Sequence, residues 1–204
     1  MSWAFQILPF LEQGAAHNLA TTSQLTATPI GLYFCPSRRP PTQNPINNAW
    51  LMDYGAITPV PTRNEVGDAT FDASVPTNQW CREGYGFWGV KNYGDNMADM
   101  ATTAQLGAEY VEFQGVISRG SYFIEKGSAS AQPRNLGYPK VSDKTITDGT
   151  SNTVMFAEKR INAAKYNEHK PDDDRGWSDG WDLDTIRSAA CQPRPDGSDD
   201  TGVN

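Results

Sequence analysis

A chain of 204 residues can bury the core of one domain, or of a small domain with a long insertion. Its Gly (18), Pro (14) and 11% aromatic residues, beside only 20% charged, favour short strands joined by many turns, an α+β class dominated by β structure. A net charge of −7 argues against nucleic acid as a partner, because phosphate binding draws on Lys and Arg clusters, and no apolar run reaches the roughly 18 residues of a membrane span.

In chain order, Trp3, Ile7, Phe10 and Leu11 fall at helical spacing over residues 3–13, with Pro9 inside the pattern and Gly14 beyond it. A short kinked helix is expected or, if Pro9 begins the helix, an extended arm from Trp3 to Leu8. A polar loop from His17 to Pro29 leads into Ile30–Cys35, read as a brief apolar strand stopped by Pro36. Residues 36–48 carry Pro36, Pro40, Pro41 and Pro45 and read as an ordered surface loop. Leu51 to Val60 restores a strand. Residues 61–105 are rich in Asn, Asp, Gly and aromatics, including Trp80, Tyr85, Phe87, Trp88 and Tyr93, and are expected to be an insertion within a single domain spanning 1–204. Tyr110–Phe113 and Tyr122–Glu125 flank Gly115–Gly120 in the pattern of a hairpin, and Pro133–Pro139 is a loop.

The chain is organised around Val141–Lys159. Asp148-Gly149 is a turn dipeptide, since Gly accepts positive φ and Asp bonds amides two residues on; Ser151 and Asn152 extend the same chemistry. Thr153 to Ala157 reads as a buried strand covered on both faces, although a helix capped at Ser151 fits the same periodicity. Ile161–Lys170 extends as a helix or a polar arm. The tail from Pro193 to Asn204 has Val203 as its one aliphatic residue and is expected to be mobile.

For catalysis the chain offers His17 and His169 but no Gly-x-Ser-x-Gly, His-Glu-x-x-His or phosphate loop, so no catalytic residue is assigned. The acidic run Asp172, Asp173, Asp174, Asp179, Asp182 and Asp184 is the best place for a metal, because Ca²⁺ takes about six to eight oxygen ligands and Asp-rich loops supply them. It is not an EF-hand, since Gly176 and Trp177 stand where that loop wants an acceptor and a Gly. Asp179, Asp182 and Asp184 are the expected Ca²⁺ ligands; the plainer alternative is a solvated acidic loop. Trp177 and Trp181 flank Gly180 beside these carboxylates, and with Trp80, Tyr85 and Trp88 they offer ring faces on which sugars stack. Core packing is the commoner fate of such residues.

Four stretches, Trp3–Gln13, Phe34–Ser37, Ile146–Glu158 and Gly180–Arg187, together resemble the DUF1559 proteins of Planctomycetes. Those proteins are similar to type IV prepilins and type II secretion pseudopilins: a cleavable leader, a long apolar helix, then a β-rich globular head. The resemblance implies a non-catalytic extracytoplasmic subunit, the pilin-like or pseudopilin-like head of a surface filament or secretion-type assembly. Its fold would be an antiparallel sheet with short helices and long loops. Its partners would be further copies or related subunits, with the membrane reached only through a helix upstream of Trp3. A cell-surface carbohydrate-binding module is the alternative, and a hydrolase stands third.

Two departures stand out. The leader and helix expected before Trp3 are missing, as is the His-Pro-Gly-Gly ending; His169 precedes Asp179-Gly180 by the family's spacing, but Lys170-Pro171-Asp172 follows it. The expectation is the interior of a longer protein, with an apolar groove where the helix belongs. Pseudopilin heads can bind calcium in a late loop, which the resemblance extends to the acidic run. Family members also carry a Cys near the end of the helix. On that resemblance Cys35 pairs with it and is a free, buried thiol in this chain, while Cys81 and Cys191 pair with each other.

Overall fold

The structure, a computed structural model, describes residues 1–58, 110–112, 115–118, 122–125, 131–133, 141–166, 168, 173–180, 182, 184–189, 193 and 195–197. The chain forms two compact units. Met1–Ile57, Phe156–Arg187 and Pro193–Asn204 make the first; Thr58–Met155 and Ser188–Gln192 make the second.

In the first unit, α1 (Trp3–Gln6) starts at Ser2, whose Oγ accepts the Phe5 N–H and satisfies an amide that the helix cannot. It stops at Ile7, and Pro9 sits in the first turn of a separate 3₁₀ segment, Leu8–Leu11. Neither the single kinked helix nor the extended arm forms, because proline removes a donor and clashes with the preceding turn yet suits a helix start. Of this apolar opening, Trp3 and Leu8 are buried while Phe10 is 86% exposed.

α2 (Gly14–His17) ends where the polar loop was expected to begin, and that stretch itself holds α3 (Thr22–Thr26). A capping box fixes α3: the Gln24 N–H donates to Thr21 Oγ1, and the Thr21 N–H donates to Gln24 Oε1, each at 3.2 Å. Ile30–Cys35 is not a strand. Gly31–Tyr33 is a 3₁₀ turn, and the Tyr33 hydroxyl donates to the Ala4 carbonyl at 2.5 Å. Ile30, Tyr33, Phe34 and Cys35 are nevertheless buried, so the apolar run signalled burial and not backbone state.

β1 (Tyr54–Thr58) lies between β5 (Phe156–Glu158) and β6 (Ile186–Ser188). β5 is antiparallel to it, with Tyr54 opposite Glu158 and Ala56 opposite Phe156. β6 runs parallel: the Ala56 N–H donates to the Thr185 carbonyl and the Ala189 N–H to the Thr58 carbonyl, the staggered pattern of a parallel pair. The fold is α+β, with this small sheet mixed in direction. The Asp148-Gly149 turn forms, with Gly149 at φ 83° and the Asn152 N–H on the Gly149 carbonyl. The strand after it begins later than expected, since Val154 is 63% and Met155 40% exposed. β5 is a three-residue edge strand, so the chain leading into it is not enclosed on both faces.

Past the sheet, Ala163–Lys165 is a single 3₁₀ turn. Pro195–Gly197 is tied down where mobility was expected: Asn162 and Gly197 form a parallel bridge, and the Ala163 N–H donates to the Gly197 carbonyl at 2.7 Å. In the second unit, β2 (Tyr110–Glu112), β3 (Tyr122–Glu125) and β4 (Ala131–Pro133) form an antiparallel sheet in that order. The β2–β3 pairing is the hairpin read from sequence, and β4 adds an unanticipated third strand. The aromatic segment 61–105 lies outside the described residues. No helix among the described residues is long and apolar enough to cross a membrane.

Candidate metal centre

The chain reverses at Gly176, where φ is +61° and a Cβ would stand 2.2 Å from the Trp50 carbonyl oxygen. A side chain is excluded there by both conformation and space. The 3₁₀ turn Gly176–Ser178 then carries Trp177 into the core, fully buried, its indole N–H donating to the Thr28 carbonyl at 3.0 Å. Burial leaves no open ring face at Trp177, which corrects its place in the expected sugar-stacking surface. Trp80, Tyr85, Trp88 and Trp181 lie outside the described residues.

The same reversal gathers carboxylates. One oxygen from each of Asp174, Asp179, Asp182 and Asp184 lies within 4.8 Å of the others. Asp184 is fully buried and accepts the backbone N–H groups of Asp174 and Arg175, each at 3.1 Å. Asp182 Oδ1 accepts the Asp184 N–H at 3.3 Å, and Asp179 Oδ1 accepts the Gly180 N–H at 2.8 Å. Burial, together with the adjacent Asp184 carboxylate, pushes the Asp174 carboxyl up to about 8, and burial raises Asp179 as well. So much negative charge in a partly dry turn suits a hard divalent cation with oxygen ligands. The three expected ligands come together, and Asp174 joins them. Sequence spacing had placed Asp174 in the acidic run but gave no reason to bring it back across the Gly176 reversal.

Asp173 belongs to a different set. Arg39 holds it through two bonds, Nη1 to Oδ2 at 2.6 Å and Nη2 to Oδ1 at 3.0 Å, while Arg39 Nε reaches Asp53 Oδ1 at 2.8 Å. Lys159 Nζ lies 3.1 Å from Asp173 and 3.5 Å from Asp184. Burial alone would raise the Asp173 carboxyl, but Lys159 and Arg39 outweigh it and hold it below the ordinary range. Asp53, Arg39, Asp173, Lys159 and Asp184 thus form one buried chain of alternating charge that ends at the acidic turn. None of its links was legible from spacing. Asp172 lies outside the described residues.

A family model described as protein of unknown function (DUF1559) matches residues 1–202. The chain belongs to that family. No match was found among curated proteins or solved structures. In this DUF1559 chain the four stretches that carry the resemblance meet in space. The Trp3 indole N–H donates to the Thr185 carbonyl at 2.6 Å, and its ring lies 4.4 Å from that of Phe156. Cys35 is buried and free, with Sγ 3.3 Å from Glu158 Oε1 and 3.2 Å from Ser37 Oγ. Cys81 and Cys191 lie outside the described residues.

Proposed function

We propose that this DUF1559 chain is a non-catalytic structural subunit that works outside the cytoplasm, the pilin-like or pseudopilin-like head of a surface filament or secretion-type assembly. Ca²⁺ bound by Asp174, Asp179, Asp182 and Asp184 would close its acidic turn. The observation that carries this reading is the meeting of the buried Trp3 and Thr185 with the half-buried Phe156, which joins three of the four family stretches. The Trp3 indole N–H and the Thr185 hydroxyl in those stretches are both committed to backbone carbonyls, as a scaffold requires. Cation binding by the folded state alone would add stability that grows with the logarithm of the cation's excess over its dissociation constant, which suits a protein exposed to extracellular calcium.

Immunogold electron microscopy of cells producing the full-length protein tests the reading. Label along surface filaments, or co-purification of the chain with an envelope-spanning assembly, is the expected result. Label confined to the cytoplasm, or a chain recovered only as a monomer free of any assembly, contradicts it.

A further inference from the structure

A cleft of about 520 Å³ opens in the first unit, bounded by Arg38, Ala157, Glu158, Tyr166, Pro195 and Asp196. Small-molecule pockets fall in the range of about 300–1,000 Å³. Its polar groups are unequally held. Asp196 is fixed on every side: Oδ1 accepts the Ile161 N–H at 2.8 Å, and Oδ2 accepts the Tyr166 hydroxyl at 2.6 Å and pairs with Arg38 Nε at 2.9 Å. Burial and this bond push the Tyr166 phenol up to about 12, so it remains a donor.

The far end of Arg38 is loosely held. Nη1 reaches the Asp53 carbonyl at 3.4 Å and Nη2 reaches Glu158 Oε2 at 3.3 Å, both near the limit of a hydrogen bond. The Glu158 side chain is 52% exposed, against 9% for Arg38. The terminal edge of a guanidinium is the geometry that takes a carboxylate through two parallel bonds of about 2.7–2.9 Å. A simple anion placed there would leave Glu158 and Asp196 facing a cation already taken. Of the two carboxylates described in the cleft, a simple cation would find Glu158 the more open, its Oε1 held by no more than the Cys35 thiol at 3.3 Å. A zwitterion meets both ends, its carboxylate replacing Glu158 on Arg38 and its ammonium pairing with the displaced, solvent-reaching Glu158.

We propose that this cleft binds a free α-amino acid, with the carboxylate on Arg38, the ammonium on Glu158 and the side chain along Ala157 and Pro195. Lys159, which also lines the cleft, reaches Asp184 of the acidic turn, but the proposal does not rest on the calcium reading.

Isothermal titration of the chain with each common α-amino acid, up to about 10 mM, tests it, using N-acetyl and α-amide derivatives of any binder as controls. Saturable one-to-one binding of at least one free amino acid is expected, weakened about tenfold or more when either terminus is blocked. Glu158→Gln should melt as the parent does yet bind about tenfold or more weakly, and Arg38→Lys, which keeps the charge but loses the fork, should weaken binding too. The proposal is overturned if no free amino acid binds saturably, if blocked forms bind as well as free ones, or if Glu158→Gln binds as tightly as the parent.

Discussion

Trp3 donates its indole N–H to the Thr185 carbonyl oxygen across 2.6 Å, joining the first helical turn of the chain to the entry of a strand at its far end. The contact is buried, and the Trp3 ring also lies against Phe156 and edge-on to Tyr33. Replacing Trp3 with Phe keeps a ring but leaves the Thr185 carbonyl without this donor. The expected loss is about 1–3 kcal/mol in urea unfolding. An unchanged midpoint would mean that the opening segment does not brace the sheet.

Gly176→Ala forces a Cβ into the backbone of Trp50 and Leu51 at a positive φ. Strain in such a conformation costs on the order of 1–3 kcal/mol, and the clash adds to it. The melting temperature should fall by several degrees, and Trp177 fluorescence should shift red as its burial loosens. Gly180→Ala, where a Cβ meets nothing within 4 Å, serves as the control and should melt close to the parent.

Lys159 is fully buried between Asp173 and Asp184. Lys159→Met matches the stem but takes the ammonium away from Asp184 and leaves Asp173 to Arg39, a loss of about 3–5 kcal/mol for breaking such a buried pair. Denaturant unfolding measures it. A loss below about 1 kcal/mol, the value of a surface pair, would show that the chain of charges does not hold β5 to the acidic turn.

The acidic turn gives stability a distinctive pH dependence. Asp174 holds its proton up to about 8 in the folded state, against an ordinary value of 3.8, so between those limits the folded state carries the extra proton. Its contribution is complete below about pH 4 and is lost as pH rises through 8. Asp173 works in the opposite sense: held below its ordinary range, it contributes above about pH 4 and loses that contribution in acid. In chelator, the melting temperature should therefore decline from about pH 5 to pH 8. Excess Ca²⁺ should flatten that decline by taking the proton's place. A profile that is flat or rising in chelator would contradict the assignment.

The features legible in the sequence were those whose physics is local. Asp148-Gly149 announced its turn because only a few residue types tolerate the conformation, and Tyr110 to Glu125 announced its hairpin through alternation around glycines. Asp179, Asp182 and Asp184 were visible as a cluster of carboxylates because they sit close together in the sequence. The missed features depend on distant partners. Thr21 and Gln24 carried a capping box that a polar composition disguised as loop. Val154 and Met155 looked buried because apolar runs usually are, but they precede β5 and stand exposed. Arg39, Lys159 and Asp173 come from three separated segments, so their pairing exists only once the chain has folded. The tie at Pro195–Gly197 rests on backbone bonds to Asn162 and Ala163, which composition does not encode.

The most direct test of the acidic turn as a cation-closed corner is calorimetric titration of the metal-free chain with CaCl₂ at about pH 7.5, with MgCl₂ alongside. One saturable Ca²⁺ site is expected, binding with proton release because Asp174 must ionise, and weakened about tenfold or more in Asp182→Asn. Absence of saturable heat, or binding unchanged in Asp182→Asn, would contradict the account.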